Sequence, residues 1–408
     1  MKPSEASPAW LLPSGFEDLG PRQANALEYL RRELLDLYAA WGYRQVIPPM
    51  LEHLESLLTG SAADLDLQTW KVLDQASGRL LGFRSDMTPQ MARMDAQMSR
   101  DHELRRLCYA GTVLHAQPDA LGGSRAPFQV GAELFGVTGP AGDLEILSLM
   151  AETLMLCQDA QLLLDLGHVG IALALVEAAG LSGSRRMELL RHLERKAWAD
   201  VRQVLLENGV PAGIRDDFSL LAHLQGERQV LEDARKYLGH HPAIRKATDT
   251  LGAVWDAFSE RYSGIQVACD LAELQGHRYH TGLLFAIYGP QRGNALAQGG
   301  RYDGIGEAFG CSRPATGFSI DLRPLLKENG GDHNGFRVWA PPGADTELWK
   351  TICDLRARGY TVIQELRSEQ QEPAGQHLPD GYDAVLRHDG EGWNLWGPDP
   401  DNISFPSL

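Results

Sequence analysis

Apolar residues recur every three or four positions in the first long segment of the chain, residues 22–41. They are Leu27, Leu30, Leu34, Leu37 and Trp41. This spacing places them on one face of a helix, which Gly42 is expected to end. A short strand over residues 44–47 then runs into Pro48, which an edge strand tolerates. The pattern alone indicates a surface helix that leads into an edge strand.

Two pairs of strands are predicted in the next hundred residues. The first pair covers residues 70–74 and 80–84, with a turn at 75–78, and the second covers 109–116 and 127–137, joined by a glycine-rich loop at 118–126. A helix is predicted over residues 89–100, and Asp86 and Thr88 before it are residue types that cap helices. Gln129 and Glu133 lie four residues apart on a strand, so their side chains share one face.

The rest of the chain predicts one large domain, residues 1–326, followed by a smaller one. Residues 181–264 are charged and leucine-periodic, which indicates a helical insertion within the large domain. The polar, glycine-rich stretch 327–335 is a predicted linker. Residues 336–408 indicate a small α/β region with a helix at 347–358, a strand at 360–364 and a hairpin at 384–387 and 393–396. The fold class is therefore α+β.

The charge of the chain argues against a nucleic-acid ligand. The chain has 408 residues, of which 43% are hydrophobic, enough to fill a sizeable core, and a net charge of -16. Residues 336–408 contain six Lys or Arg and twelve Asp or Glu, a net charge of -6. Binding to RNA requires a basic surface that displaces counterions from the phosphates. We therefore expect no tRNA partner.

Cysteine usage and hydropathy indicate a soluble protein of the cytoplasm. The five cysteines, at positions 108, 157, 269, 311 and 353, show neither a CxxC pair nor the spacing of a metal site. We expect reduced thiols, no bound metal and no cofactor. The first residues contain no apolar signal core, and no apolar run approaches the length of a membrane span. No membrane partner is expected.

Three segments occur in an order and spacing that resemble histidyl-tRNA synthetases, which are class II synthetases. They are residues 84–88 (RSDMT), 128–133 (FQVGAE) and 297–322 (AQGGRYDG through GFSIDL). The resemblance covers roughly residues 10–325 and implies a class II antiparallel sheet, flanked by helices, that carries an amino-acid pocket. The first helix, strand and Pro48 resemble motif 1 of that class, which implies a homodimer interface.

The resemblance implies a pocket for histidine. The implied binding residues are Asp86, Thr88, Arg125, Gln129, Glu133, Tyr279 and His280. Asp86, Thr88 and Gln129 match positions that take the α-ammonium, and Glu133 matches the position that accepts from the imidazole. Asp86 replaces a glutamate of the family; it is one methylene shorter but remains an anionic acceptor. A purely structural role for Gln129 and Glu133 is the alternative.

The cations that handle ATP and the substrate carboxylate in those enzymes are missing here. His115, Gln275 and Pro324 stand at positions where the family has arginines, although a slip of one residue brings Arg323 to the third position, and Arg125 matches a loop arginine. Imidazole is mostly neutral at pH 7 and offers no bidentate cationic fork. The loss of one preorganised charge partner typically costs about 10² to 10³ in rate. We expect no catalytic residues and no synthetase activity.

A synthetase-like histidine pocket without these arginines, followed by a region unsuited to RNA, resembles one paralogous family, the regulatory subunits of ATP phosphoribosyltransferase. That resemblance implies a non-catalytic, allosteric subunit in the first step of histidine biosynthesis. It also implies a hetero-octamer with a short-form catalytic subunit and a contribution to feedback inhibition by histidine. An active histidyl-tRNA synthetase with divergent motifs is the main alternative, and another class II paralogue that activates a different carboxylate is the third.

Overall fold

The computed structural model describes residues 11–59, 63–98, 103–118, 123–157, 161–274, 276, 279–290, 293–326, 336–366 and 378–397. They form two compact units, one that includes residues 27–326 and one that includes residues 336–397. The predicted linker, residues 327–335, lies outside the described residues. No helix in the described part of the chain is both long enough and apolar enough to cross a membrane.

Eleven α-helices are described before residue 327. They are α1 (Pro21–Ala40), α2 (Leu54–Leu58), α3 (Ala63–Gln68), α4 (Thr88–Met98), α5 (Pro140–Cys157), α6 (Val169–Ala178), α7 (Gly183–Glu194), α8 (Trp198–Glu207), α9 (Ala212–Leu221), α10 (Gln229–Tyr237) and α11 (Pro242–Arg261). The strands are β1 (Arg44–Gln45), β2 (Leu51–His53), β3 (Lys71–Leu73), β4 (Leu80–Phe83), β5 (Arg105–Thr112), β6 (Phe128–Phe135), β7 (Leu163–His168), β8 (Gln225–Gly226), β9 (Gln266–Asp270), β10 (Leu283–Tyr288), β11 (Ala297–Arg301) and β12 (Ala315–Asp321).

One nine-stranded sheet organises the larger unit. Its strand order is β1-β5-β6-β12-β11-β10-β7-β9-β8. The central run from β5 to β7 is antiparallel, as predicted, whereas β1 pairs with β5 and β7 pairs with β9 in parallel. Helix α5 packs on this sheet, and α11 packs on α5 and α6. The core therefore lies between the sheet and the helices that pack on it. Within this core, Ile146, Leu149 and Met150 of α5 are fully buried.

The predicted first helix is confirmed as α1. Leu34 and Tyr38 on its apolar face are fully buried. The helix ends before Gly42, whose φ of +83° is a left-handed conformation that glycine adopts at helix ends. The predicted hairpin is also confirmed, because β3 and β4 pair antiparallel in a small sheet of order β2-β4-β3.

Strand β5 is shifted by four residues from its predicted position. It begins at Arg105. Two consecutive charged residues, Arg105 and Arg106, are untypical of a central strand, so the sequence pattern did not indicate this start. Arg105 pairs with Asp95 at 2.7 Å, and Arg106 pairs with Glu145 at 2.7 Å. These ion pairs allow charged residues to occupy the start of a central strand.

The predicted helical insertion is present as α7 to α11, with β8 at the edge of the main sheet. Helices α7 and α8 are separated at Lys196, whose φ is +52°. Its ammonium is held there by Asp270 and by Glu273, the latter at 3.1 Å.

The smaller unit has the α/β composition that was predicted. It contains β13 (Arg337–Ala340), α12 (Thr346–Ala357), β14 (Thr361–Gln364), β15 (Ala384–His388) and β16 (Trp393–Trp396). The sheet order is β14-β13-β15-β16, and the predicted final hairpin is confirmed by the antiparallel pair β15 and β16. Asp345 caps α12 by accepting from the amides of Glu347 and Leu348, both at 3.2 Å.

Candidate functional site

A cavity of about 1290 Å³ opens over the face of the central strands β6, β12, β11 and β10. The structure brings six of the seven predicted site residues to its wall. They are Asp86, Thr88, Gln129, Glu133, Tyr279 and His280. The two residues of β6 share one face because their spacing of four matches the period of a strand.

Glu133 is the most enclosed charged group of the cavity, with 1% of its surface exposed. Its Oε1 accepts from the hydroxyl of Thr88 at 3.0 Å and from that of Tyr109 at 3.2 Å. Its Oε2 accepts from the hydroxyl of Tyr302. The carboxyl group is therefore fixed in one orientation by three hydroxyl donors.

The pKa of Glu133 is raised to about 8, chiefly because burial penalises the charged carboxylate. The negative charge of Asp86 raises this pKa further, whereas the hydroxyls of Tyr302, Thr88 and Tyr109 oppose the rise. Burial is the larger effect, so the carboxyl group is largely protonated at neutral pH. A cation that enters the cavity lowers this pKa and favours the carboxylate.

Two glycines make room for this arrangement. Gly317 on β12 lies directly opposite Glu133 on β6, and a Cβ atom at Gly317 would collide with Oε2 of Glu133. Gly131 on β6 lies opposite Tyr109 on β5, and a Cβ atom there would collide with the Tyr109 hydroxyl. Side chains larger than hydrogen are therefore excluded at both positions.

Asp86 lies beside Glu133 and joins the start of α4 to β6. Its Oδ1 accepts from the amide of Thr88 at 3.2 Å and from Nε2 of Gln129 at 2.9 Å. Oε1 of Gln129 accepts in turn from the amide of Met87 at 3.1 Å. Asp86 thus both interacts with the first turn of α4 and lines the cavity.

Tyr279 and His280 form a stacked pair at another wall of the cavity. Their ring centroids are 4.3 Å apart with an interplanar angle of 33°. Nδ1 of His280 lies 3.3 Å from the carbonyl oxygen of Arg301. Burial lowers the pKa of His280 to about 4, so this imidazole is neutral at pH 7. The pair supplies a flat, uncharged surface near the carboxyl groups of Asp86 and Glu133.

The ionisable carboxyl groups and the absence of basic side chains among its described residues give the cavity wall an acidic character, although Lys196 pairs with Glu273 and Glu133 is largely protonated. The described wall carries six carboxyl groups, those of Asp86, Glu133, Asp165, Glu194, Glu273 and Asp321. Neither lysine nor arginine occurs among its described residues. Such a wall attracts an ammonium group and repels a polyphosphate. This electrostatic character matches the expected amino-acid pocket and opposes binding of ATP.

Two of the three substituted arginine positions also lie at this wall. His115 is buried, and its Nε2 lies 3.0 Å from the carbonyl oxygen of Ser85. Pro324 follows β12 within a short 3₁₀ turn, Arg323–Leu325, rather than starting an α-helix. Gln275 lies outside the described residues.

Arg125, the seventh residue predicted for the histidine pocket, is not among those that line the cavity. Its guanidinium lies 4.7 Å from the ring centroid of Trp70 and 5.3 Å from that of Phe16. It donates to the carbonyl oxygens of Ala116 at 2.7 Å and His115 at 3.2 Å. Stacking and carbonyl acceptors thus hold Arg125 in a structural position.

Arg323, the other arginine considered for ATP contacts, is held in a similar way. It pairs with Glu17 at 3.0 Å and donates to the carbonyl oxygen of Ala126 at 2.9 Å. Sequence reasoning also missed Tyr109 and Tyr302 as partners of Glu133. Tyr302 lies within the AQGGRYDG segment, so the motif contained a signal for it.

Comparison with known proteins identifies a family for each of the two parts of the chain. The Histidyl-tRNA synthetase family model matches residues 15–325, and the model of the ATP phosphoribosyltransferase subunit HisZ C-terminal domain matches residues 335–395. An ATP phosphoribosyltransferase regulatory subunit from Pseudomonas fluorescens is 47% identical over 366 residues, which cover 88% of this chain and 91% of that protein.

Two solved structures have the same fold. An ATP phosphoribosyltransferase regulatory subunit/histidyl-tRNA synthetase from Bacillus halodurans superposes with a TM-score of 0.76 at 26% identity, covering 89% of this chain and 94% of that one. A chain of the ATP phosphoribosyl transferase (HisG:HisZ) complex from Thermotoga maritima has a TM-score of 0.56 at 18% identity, covering 72% of this chain and 96% of that one, and shows the fold alone. The predicted fold class is confirmed, and the chain belongs to the family of ATP phosphoribosyltransferase regulatory subunits.

Proposed function

We propose that this chain acts as the regulatory, non-catalytic subunit of an ATP phosphoribosyltransferase and transmits feedback inhibition by histidine. The observation that carries the proposal is the cavity wall, which has the acceptors for an amino acid and, among its described residues, no lysine or arginine for a nucleotide. The partner is a short-form catalytic subunit of the enzyme. We propose that the complex is a hetero-octamer and that two copies of this chain form a homodimer through α1 and β1. The proposed location is the cytoplasm.

Histidine is the proposed ligand of the cavity. Its α-ammonium lies near Oδ1 of Asp86, with Gln129 and Thr88 beside it, and its imidazole lies near Glu133. The contacts of Asp86 with Gln129, at 2.9 Å, and with the amide of Thr88, at 3.2 Å, position the carboxylate before the ligand arrives. Preorganised acceptors of this kind lower the entropic cost of binding.

Regulation then follows from a difference in histidine affinity between two states of the complex. A ligand shifts an equilibrium only by as much as its affinity differs between the two states. The reciprocal effect is that the catalytic subunit changes the histidine affinity of this chain by the same factor. No covalent chemistry is required of this chain.

The proposal is tested by mixing the purified chain with a short-form catalytic subunit. We expect the rate of ATP phosphoribosyl transfer to rise, a larger particle to form in sedimentation, and histidine to inhibit the complex. An unchanged rate together with unchanged sedimentation would contradict the proposal. Activation without inhibition by histidine would retain the subunit role and remove the feedback role.

A further inference from the structure

Three side chains with metal-binding atoms converge in the helical insertion. Asp217 lies on α9, and His240 and His241 lie in the connection between α10 and α11. Nε2 of His241 is 2.9 Å from Oδ2 of Asp217, and Nε2 of His240 is 3.2 Å from the same oxygen. One ligand atom from each residue lies within 4.8 Å of the others. None of the three residues is among those that line the cavity, so this cluster is separate from the histidine site.

The connection between the two helices holds both imidazoles in place. The carbonyl oxygen of Gly239 accepts from Nη2 of Arg245 at 2.8 Å and from its Nε at 3.2 Å. The amide of His241 donates to the carbonyl oxygen of Leu238 at 3.0 Å. The imidazole centroids are 4.2 Å apart, although neighbouring residues of an extended chain point in opposite directions. The turn thus directs both rings toward Asp217.

Two of the three side chains are mostly buried and the third is exposed, so an ion can reach the cluster from solvent. The side chains of Asp217 and His241 are 13% and 15% exposed, whereas that of His240 is 58% exposed. Two ligands are therefore fixed by their surroundings, and the third borders solvent. An ion has an open approach, and water can occupy the remaining coordination positions.

We propose that Asp217, His240 and His241 bind a divalent transition-metal ion of the zinc class. Imidazole nitrogen and carboxylate oxygen are ligands that such ions accept. Ligand atoms about 2.0 Å from a tetrahedral zinc ion lie about 3.3 Å from one another. The separations of 2.9 and 3.2 Å from Oδ2 of Asp217 are close to this value. The ion replaces the two contacts between Nε2 and Oδ2, and each imidazole then binds through an unprotonated Nε2 and carries its proton on Nδ1.

A bound ion links α9 to the connection between α10 and α11. Asp217 and His240 are 23 residues apart, so the ion closes a loop within the insertion. The spacing of the cysteines had indicated no metal site. A carboxylate ligand this far from an adjacent histidine pair gives no recognisable short motif.

The test is a zinc titration of the full chain by equilibrium dialysis with metal analysis, with Co²⁺ absorption as a spectroscopic check. The wild type is expected to bind one more Zn²⁺ per chain than the double variant His240→Ala/His241→Ala. Asp217→Asn is expected to weaken binding at this site at least tenfold, since even the loss of outer-shell partners costs about 10- to 100-fold. The matched control is His192→Ala, because His192 lies 3.5 Å from Asp200 in a pair within the same insertion.

Equal zinc stoichiometry and affinity for the wild type, the double variant and Asp217→Asn would overturn the proposal. Circular dichroism of each variant checks that it is folded. If the double variant does not fold, Asp217→Asn, which preserves side-chain size, decides the question. Loss of one zinc equivalent in His192→Ala instead would also overturn it, because the ion would then lie elsewhere in the insertion.

Discussion

Glu133 links the electrostatics of the cavity to ligand binding. Three hydroxyl groups hold its carboxyl group, yet burial raises its pKa to about 8. The carboxylate is the form that accepts from an imidazole N–H, and it is the minor form at pH 7. Histidine binding is therefore expected to release a proton from Glu133 near neutral pH.

The residue-scale prediction concerns the pH dependence of histidine affinity. Because the ionised fraction of a carboxyl group with a pKa of about 8 rises with pH, affinity should increase by about fivefold between pH 7 and pH 8. Glu133→Gln removes this increase. At pH 8 it should also cost about 1 to 3 kcal/mol of binding free energy, because a neutral amide replaces a charge-assisted acceptor. Isothermal titration of histidine at both pH values measures these effects.

Glu177→Gln is the control, since Glu177 is an exposed carboxylate on α6. It should bind histidine like the wild type at both pH values. The role of Glu133 is disproved if Glu133→Gln also keeps wild-type affinity and pH dependence, both in the isolated chain and in the complex with the catalytic subunit. The cavity would then have no part in regulation.

Six of the seven side chains that residue-type reasoning assigned to a histidine pocket line one cavity, and Arg125 does not. The pattern of β6 is sufficient to direct Gln129 and Glu133 to one face, because a strand has a fixed period. The position of Arg125 depends on stacking against Trp70 and Phe16 from distant segments. No local pattern encodes such long-range contacts. That the six residues bind histidine remains a prediction.

At the scale of elements, the site depends on how closely β6 and β12 approach each other. Gly317 lies opposite Glu133, and its missing side chain leaves the space that the carboxyl group occupies. The glycine thus shapes the site through the space that it leaves for Glu133. Its effect should be visible both in stability and in binding.

We predict that Gly317→Ala destabilises the fold by about 1 to 3 kcal/mol and abolishes measurable histidine binding, because overpacking forces Glu133 or the neighbouring backbone to move. A Cβ at this position would also lie 2.8 Å from the carbonyl oxygen of Ala132. Chemical unfolding and histidine titration measure the two effects. The control is Gly304→Ala, since a Cβ there has no neighbour within 4 Å. Wild-type stability and binding in Gly317→Ala would refute this account of the glycine.

Elements with strong periodicity were predicted well, and those shaped by tertiary contacts were not. Helix α1 and the hairpin of β3 and β4 follow directly from local patterns. The start of β5 was missed because its arginines are neutralised by Asp95 and Glu145, which lie far away in sequence or on another element. The segment after β12 forms a short 3₁₀ turn, Arg323–Leu325, for which the sequence had given no prediction. The bounds of such elements depend on contacts with residues that are distant in the sequence.

At the scale of the whole molecule, the cavity proposed to bind histidine has neither lysine nor arginine among the described residues of its wall. Six carboxyl groups line that wall. Two arginines match or nearly match the ATP-binding positions of the synthetases, and both have other partners. Arg125 contacts carbonyl oxygens and aromatic rings. Arg323 pairs with Glu17 and donates to the carbonyl oxygen of Ala126. Neither is placed to neutralise charge on transferred phosphates.

We therefore predict that the isolated chain neither forms histidyl adenylate nor charges tRNA. Adenylate formation builds negative charge on the phosphates of ATP, and the loss of each preorganised charge partner costs about 10² to 10³ in rate. Histidine-dependent exchange of pyrophosphate into ATP is the measurement, with an active histidyl-tRNA synthetase as the positive control and heat-killed chain as the blank. Exchange above the blank would show that the wall accommodates ATP despite its carboxyl groups, and it would favour the synthetase alternative. Absence of exchange together with histidine binding in the same preparation would establish a pocket that recognises the amino acid without activating it.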